Sequence, residues 1–557
     1  YLGCCVMMDF TLDTIRESDR QFLQGIEKKL KCDSEALLAV RALAVPVRLD
    51  PELALTVLKS PLVNTNGNSE AILGEILQMP FVHRFPDGTF KYAQDARVYF
   101  DAQLQQEQPG GNSNGLYAAL NRLLADFYRE RRKKLNGGAP PESREARQLT
   151  LSESLHRLAS DEPERGVEDL GQFAAQAMGP TARADTYAAM NIFQVRAPII
   201  GPGRLEPLFV RAKYCYLAGD YEAAAPLLEQ VCSSPEKTFN TDTRRFIFAL
   251  ASHFLGYMYL QRGGGIKPAI KWLLQSVDMR RTLKKPLDTA MALNTLGMAY
   301  LSLKKPRETA KAVAALKKAV EIDPDPGSRA MILNTLGTAY LALRPAEPAK
   351  AVKALEESVK LAADTAQRAM SLNTLGIAYL ALRPAEPAKA VEALEASADL
   401  SRNAGNLEQL AMSLNTLGTA YLALRPAKPE KAVEALEEVV KIDLDQASRA
   451  MSLNTLGTAY LALRPAEPIK AVAALEESVR LTVDPVNRTI RLTTLGKAYL
   501  RSGDPDTAII KLDESLSLLE KSKDPMEIAP VYNLLGQSYK NRGQLPEAIV
   551  VYRPPRP

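Results

Sequence analysis

The block LNTLGTAYLALRP stands at Leu333–Pro345 and again at Leu453–Pro465, with close variants beginning at Leu293, Leu372 and Leu414. Looser copies surround Gly256, Gly496 and Gly536. The marker glycines Gly256, Gly297, Gly337, Gly376, Gly418, Gly457, Gly496 and Gly536 are spaced by 41, 40, 39, 42, 39, 39 and 40 residues. Self-similarity at such a period defines a solenoid, whose units bury their apolar faces against their neighbours. A 557-residue chain exceeds the roughly 250–300 residues at which a single core stops growing, and stacking units in a line removes that limit. The repeat therefore directs attention to binding along an extended surface before catalysis.

One unit shows how the chain folds locally. Leu333, Leu336, Ala339 and Tyr340 fall on one stripe of a helix. Gly337 lies inside that helix, where it costs about 1 kcal/mol relative to alanine; repetition of the cost implies close approach of a paired helix. The helix ends where Arg344 meets Pro345, because a residue before proline is pushed out of the α region. Pro348 suits the first turn of a second helix, whose apolar stripe is Ala351, Val352, Leu355 and Val359. Each unit is thus two antiparallel helices. Arg344, Arg383, Arg425 and Arg464 recur at the turn and are expected to cap the last carbonyls of the first helix. Arg329, Arg368, Arg449 and Arg488 recur at the start of first helices.

This spacing resembles the tetratricopeptide repeat (TPR), carried in the first full copy by Leu293, Leu296, Gly297, Tyr300, Ala312, Leu316, Ala319 and Pro324. The turn Arg-Pro-Ala-Glu-Pro is two residues longer than the usual Gly-Asp-Tyr turn, which an earlier degenerate unit retains at Gly219-Asp220-Tyr221. The resemblance covers Leu205 to Tyr552 and implies an all-α, TPR-like solenoid over 205–557, a right-handed superhelix of units about 39 residues long.

Residues 33–108 have a different pattern. Short helices with acidic starts are expected from Asp33 to Ala44 and from Asp50 to Lys59, and a third from Ser69 to Met79. Strands at Phe81–Phe85 and Thr89–Tyr92 flank Pro86-Asp87-Gly88, and a helix follows from Gln94. Three helices, a hairpin at an Asp-Gly turn and a closing helix describe a winged helix. The block FVHRFPDGTFKYAQDARVYFDAQL resembles the winged-helix segment of STAND-class signalling NTPases, with Asp95 and Arg97 in place and Gln94 where histidine is usual. Residues 116–204 resemble the helical linker of such proteins, and 1–32 would be the remnant of a preceding domain. We read the chain as a piece of a longer protein, shortened on its N-terminal side. The third helix carries Glu70 and Glu75 and no Lys or Arg, which argues against reading DNA.

No motif for chemistry emerges. There is no GxxxxGK[ST] phosphate loop, and His83, His156 and His253 lie on separate elements without metal-ligand spacing. Cys4, Cys5, Cys32, Cys215 and Cys232 form no disulfide framework, as suits reduced thiols in a cytoplasmic protein. Net charge of +5 is slight for a nucleic-acid binder, and the basic run Arg129–Lys134 reads as a solvated helix end. No apolar run reaches the ~18 residues of a membrane span. Pro109–Gly115 reads as a flexible linker, Gly263-Gly264-Gly265 as a turn, and Glu356-Glu357 as solvated charge. Neither enzyme activity nor a cofactor or metal is expected, and no nucleic-acid or membrane partner.

What recurs with chemical meaning is an amide row. Asn334 follows Leu333 and is rotated about 100° from the buried stripe, which in a TPR places it on the concave wall. The same position holds His253, Asn294, Asn373, Asn415, Asn454, Thr493 and Asn533. Met331, Met370, Met412 and Met451 stand two residues before the leucine, and Thr338, Ile377, Thr419 and Thr458 stand one turn after the amide. Asparagine offers an acceptor and two donors, suited to gripping a peptide backbone, and methionine adapts to varied shapes. The alternative is that each Asn hydrogen-bonds a neighbouring helix. The expected function is ligand sensing by a TPR module in a STAND-type signalling or defence NTPase, with a protein or peptide in the groove. The other reading is a free-standing scaffold that assembles partners. Oligomerisation of the full-length protein stays open.

Overall fold

The computed structural model describes residues 15–30, 34–46, 48–65, 67–106, 115–136, 143–195, 204–261, 265–442, 445–519 and 525–552. Cys4, Cys5, Cys32, most of the Pro109–Gly115 loop and Gly263-Gly264 lie outside the described residues. The chain divides into two compact units, Tyr1–Lys284 and Lys285–Pro557.

The first unit opens with α1 (Glu17–Leu30), α2 (Ser34–Ala44), α3 (Pro51–Leu58) and α4 (Ser69–Ile76). The strands β1 (Val82–Arg84) and β2 (Phe90–Tyr92) follow, then α5 (Gln94–Gln106). Asp50 caps α3 by accepting from the Leu53 amide at 2.8 Å. The strands pair antiparallel with Val82 opposite Tyr92 and Arg84 opposite Phe90, and Leu49 adds an isolated bridge to Phe90. Both strands are shorter than the apolar pattern suggests, because the tight turn uses Phe85 and Thr89: the Phe85 amide donates to Thr89 O at 2.8 Å. Gly88 takes φ +80°, a left-handed conformation that glycine adopts without steric cost. Phe81, Tyr92, Tyr99 and Phe100 interlock edge to face or tilted, beneath Leu23, Leu43, Leu53, Ile76 and Leu124. Within this core Tyr99 donates to Glu27 at 2.6 Å, and Glu27 also pairs with Arg41.

Four helices follow: α6 (Leu116–Asn136), α7 (Arg144–Leu158), α8 (Pro163–Gln176) and α9 (Ala182–Val195). The basic run ending α6 is solvated at Lys133 and Lys134, as expected, but its arginines are engaged. Arg131 binds the capping residue Asp50, Arg132 binds the buried Glu153 of α7 at 2.6 Å, and Arg129 binds Asp126 at 2.6 Å. Lys213 crosses to the end of α8 and donates to the carbonyls of Ala174 at 2.7 Å and Ala177 at 2.7 Å. It belongs to the first hairpin, α10 (Leu205–Leu217) with α11 (Tyr221–Cys232); α12 (Asp242–Gln261) and α13 (Ile266–Thr282) form the second.

The second unit is a stack of hairpins. Its first helices are α14 (Pro286–Ser302), α16 (Pro326–Ala342), α18 (Thr365–Ala381), α20 (Leu407–Ala423), α22 (Gln446–Ala462), α24 (Pro485–Ser502) and α26 (Pro525–Asn541). Their partners are α15 (Pro306–Ile322), α17 (Pro348–Leu361), α19 (Pro387–Asn403), α21 (Pro429–Lys441), α23 (Pro468–Arg480), α25 (Pro505–Leu519) and α27 (Leu545–Tyr552). The fold is an all-α solenoid of TPR-type units, as the period requires. The marker glycines are sockets: a Cβ on Gly337 would lie 2.5 Å from Leu355 Cγ, and one on Gly376 2.5 Å from Leu394 Cγ. Val352 and Val359 are only half-buried; Ser358 takes the buried place between them.

Two polar ladders join the units. The Ser358 hydroxyl donates to Ala330 O at 2.6 Å and lies 2.8 Å from Ser371 Oγ of the next unit. Ser397 repeats both contacts with Ala369 and Ser413. On the outside, Tyr379 donates to Glu356 of the preceding unit at 2.8 Å, Tyr421 to Glu395 at 2.5 Å and Tyr460 to Glu437 at 2.7 Å. Glu356 and Glu357 are exposed, as expected, and Glu356 also serves as a joint between units. The turn arginines also depart from expectation. Arg344 is exposed and makes no described hydrogen bond; the Glu347 amide instead donates to Tyr340 O at 3.0 Å, as Glu386, Lys428 and Glu467 do to the equivalent tyrosine carbonyls. The Arg–Pro bonds at 344–345, 383–384, 425–426 and 464–465 are cis. Backbone amides, not those arginines, thus cap the tyrosine carbonyls at these helix ends.

Candidate ligand groove

Within the second unit each first helix packs on the first helix of the next, while second helices meet chiefly first helices. The first helices are thus the more closely spaced layer and form the inner wall of the stack. On that wall Leu333, Leu336, Ala339 and Tyr340 are buried, and Met331 beside them is 41% exposed. Met370, Met412 and Met451 are 49%, 49% and 47% exposed. Half-exposed methionines in register on successive helices make an apolar track.

The asparagines lie beside this track. Asn294 and Asn373 are buried and Asn334, Asn415 and Asn454 half-buried. In all five the side-chain oxygen is turned inward and has no hydrogen-bond partner. None of the five amide nitrogens is paired within the described residues or among the buried unpaired atoms, so the nitrogens face the groove. The row thus offers donors outward, not the donor-and-acceptor pair that bidentate gripping requires. No bond from these amides to a neighbouring helix is present among the described residues, although that was the competing role. The threonines are quieter than their position suggests. Thr338, Thr419 and Thr458 turn their hydroxyl hydrogens back to Asn334 O, Asn415 O and Asn454 O at 3.2, 3.4 and 3.0 Å. They are left as acceptors.

The row changes character at its ends. Asn533 is exposed and accepts from Gln537 Nε2 at 3.2 Å, and Thr493 bonds Thr489 O and Ser515. His253 belongs to α12 in the first unit. Its Nδ1 is buried without a partner, and burial, helped by the charge of Arg280, pushes its pKa down to about 3. Of the recurring arginines at first-helix starts, Arg329 donates to Asp323 O and Arg488 binds Glu514 at 2.7 Å, so both are spent internally.

One cavity opens on the inner wall. It has a volume of about 320 Å³, lies between α20 and α22, and is lined by Glu408, Ala411, Met412, Asn415, Asp445, Ser448, Met451 and Ser452. Glu408 escapes a reading that follows repeated positions, because it interrupts the repeat, whereas Asp445 recurs as Asp325 and Asp364 and Ser448 as Ser328. The equivalents of Glu408 are Gly327, Ala366 and Ala447, and that departure was the available signal. Among the described residues no group of three His, Cys, Asp or Glu side chains could hold a metal ion, and no helix is long and apolar enough to cross a membrane.

Tetratricopeptide-repeat family profiles match residues 205–230 and 291–326, and the profile of anaphase-promoting complex subunit 5 matches 330–386 and 377–467. The chain carries tetratricopeptide repeats. A search of curated proteins found no match. Among solved structures, it is similar to nearly identical TPR-like repeats of a putative kinesin light chain from Podosopora anserina. That likeness has 26% identity, covers 34% of this chain and 92% of the other, and has a TM-score of 0.30. A STAND protein with a tetratricopeptide repeat sensor from Pyrococcus horikoshii is 14% identical, over 90% of this chain and 67% of that one, with a TM-score of 0.47. The quorum sensor NprR from B. thuringiensis is 10% identical, over 63% and 97%, with a TM-score of 0.36.

Proposed function

We propose that this chain is a non-enzymatic ligand-sensing module that holds an extended peptide or protein segment along the first-helix wall. The row of unpartnered asparagine amides beside half-exposed methionines carries this reading. Packed helices are spaced by about 8–10 Å and an extended chain rises about 3.3 Å per residue. Amides repeated once per unit would therefore meet about every third residue of a bound segment. With their nitrogens outward they would donate to its carbonyls, while the methionine track receives its side chains.

The helices, bridge and hairpin of 34–106 support a winged-helix module, and with the resemblance of that segment they favour the sensor region of a STAND-type signalling or defence NTPase. Its nucleotide-binding core would lie outside these residues. A GxxxxGK[ST] loop encoded upstream in the same reading frame supports the switch; a continuous upstream frame without one leaves the scaffold.

The groove is tested by replacing Asn334, Asn373, Asn415 and Asn454 with alanine together. Each lost contact to a ligand costs about 0.5–1.5 kcal/mol, so binding of peptides selected from an octapeptide library on the parent chain should weaken at least a hundredfold. The melting temperature should hold, because the amides have no protein partner to orphan. Loss of folding stability with unchanged peptide affinity would overturn the groove.

A further inference from the structure

The cavity between α20 and α22 exists because one side chain is short. Six residues before the asparagine, α18 carries Gln367, whose amide reaches across to Gly327 O of α16 at 2.8 Å and bridges the two helices. In α20 the same place holds Gln409, buried and turned to Ser413 Oγ at 3.3 Å. In α22 it is Ser448, too short to bridge, and the space remains open. The walls are apolar: Met412 and Met451 stand on the two helices, with Ala411 between them.

The polar lining is anionic. Glu408 is exposed and forms no ion pair with any described residue. Asp445 is exposed too; its Oδ1 accepts from the amides of Ala447 at 2.9 Å and Ser448 at 3.1 Å, and hydrogen bonds from the Ser448 hydroxyl and these amides hold its carboxyl below the usual carboxylate range, ionised as an N-cap. Arg402 is committed to Asp399 and Glu438, and Arg449, whose amide donates to Asp445 O at 2.9 Å, forms no ion pair with either carboxylate among the described residues. Two uncompensated carboxylates above a slot walled by thioethers match one kind of side chain: a long aliphatic stem ending in a cation.

We propose that this cavity is a specificity pocket for a lysine or arginine side chain of the bound peptide. The stem lies between Met412 and Met451 and the charged end meets Glu408 and Asp445. The inference rests on the peptide-groove reading above and adds to it the chemistry of one ligand residue. Pocket and amide row share Asn415, so the basic residue enters where the backbone is held.

A positional-scanning library of N-acetylated, C-amidated octapeptides, presented to the immobilised full chain, tests it. One position should enrich lysine and arginine over norleucine, glutamine and glutamate. The double variant Glu408→Gln with Asp445→Asn, which retains a capping oxygen at 445, should bind the best lysine peptide at least tenfold more weakly. The norleucine analogue should bind both proteins equally. Ser448→Gln, which restores the residue that bridges at 367, should erase the preference for a basic residue and leave other positions unchanged. Enrichment without a basic position, or equal losses for lysine and norleucine peptides, overturns the pocket while the groove stands. No enrichment at any position overturns the groove and the pocket with it.

Discussion

Phe100 and Leu355 are equally inaccessible to solvent, yet they are held by different kinds of core. Phe100 lies in a closed cluster that gathers side chains from α1 through α6, so its neighbours include residues as far apart as Leu23 and Leu124. Leu355 sits in a socket made by Gly337 on the paired helix, and the next unit builds the same socket again with Leu394 and Gly376. The closed core is one object assembled from the whole small domain. The repeat core is a series of copies, each stabilised by nearest neighbours. Damage should therefore be collective in the first and local in the second.

The largest effect is expected in the closed core. Phe100→Ala should cost about 3–5 kcal/mol through lost burial and the cavity left behind. Hydrogen exchange should show protection lost together across α2, α3, α5 and the hairpin, while amides of α16–α23 keep theirs. Protection lost only around position 100 would erase the contrast.

A smaller, local effect is expected at Gly337→Ala. Alanine ordinarily favours a helix by about 1 kcal/mol over glycine, but here its methyl group meets Leu355. Overpacking should make the change destabilising by about 1–3 kcal/mol, with exchange rising in α16 and α17 and at their joints. Adding Leu355→Ala should recover part of the loss to the glycine change, read as a positive coupling in a double-mutant cycle. A stabilised single variant would show that the socket has slack.

The third test asks whether all positions of the amide row are equivalent. His253 is held neutral with a pKa of about 3, against about 6.5 in an unfolded chain. The folded value is depressed, so between these limits the unfolded state binds the extra proton. Stability is complete above pH ~6.5 and falls with acid, by about 2 kcal/mol at pH 5. His253→Asn, the residue of the other units, should flatten this part of the pH dependence of unfolding. An unchanged pH profile would assign the acid sensitivity to other groups.

How legible each region was in the sequence follows the same division. The repeated glycine and leucine positions exposed the hairpins and their sockets, since both partners lie within one unit. The helices and hairpin of 34–106 were readable because Asp50, Gly88 and the alternation at Phe90–Tyr92 are strong local signals. What escaped lies between units. Tyr379 and Glu356, or Ser358 and Ser371, belong to different copies, and nothing inside either copy marks them as partners. Their meaning appears only when positions one unit apart are compared. The first joint of the second unit illustrates this: Tyr340 faces Lys317 as a cation over its ring, where later copies have tyrosine and glutamate. The asparagine row was visible, but the inward turn of its oxygens depends on the packing of neighbouring helices, which spacing does not encode.

The joint between units carries a further consequence. In the second unit Tyr379 to Glu356, Tyr421 to Glu395, Tyr460 to Glu437 and Tyr499 to Glu476 are the same latch made four times. If one whole copy were excised from the gene, the flanking copies would meet through a latch both already possess. Near-identical copies also invite unequal recombination, the event that removes or adds one. Such an array can change length by inheritance without inventing a new contact, and its inner wall of first helices lengthens or shortens with it.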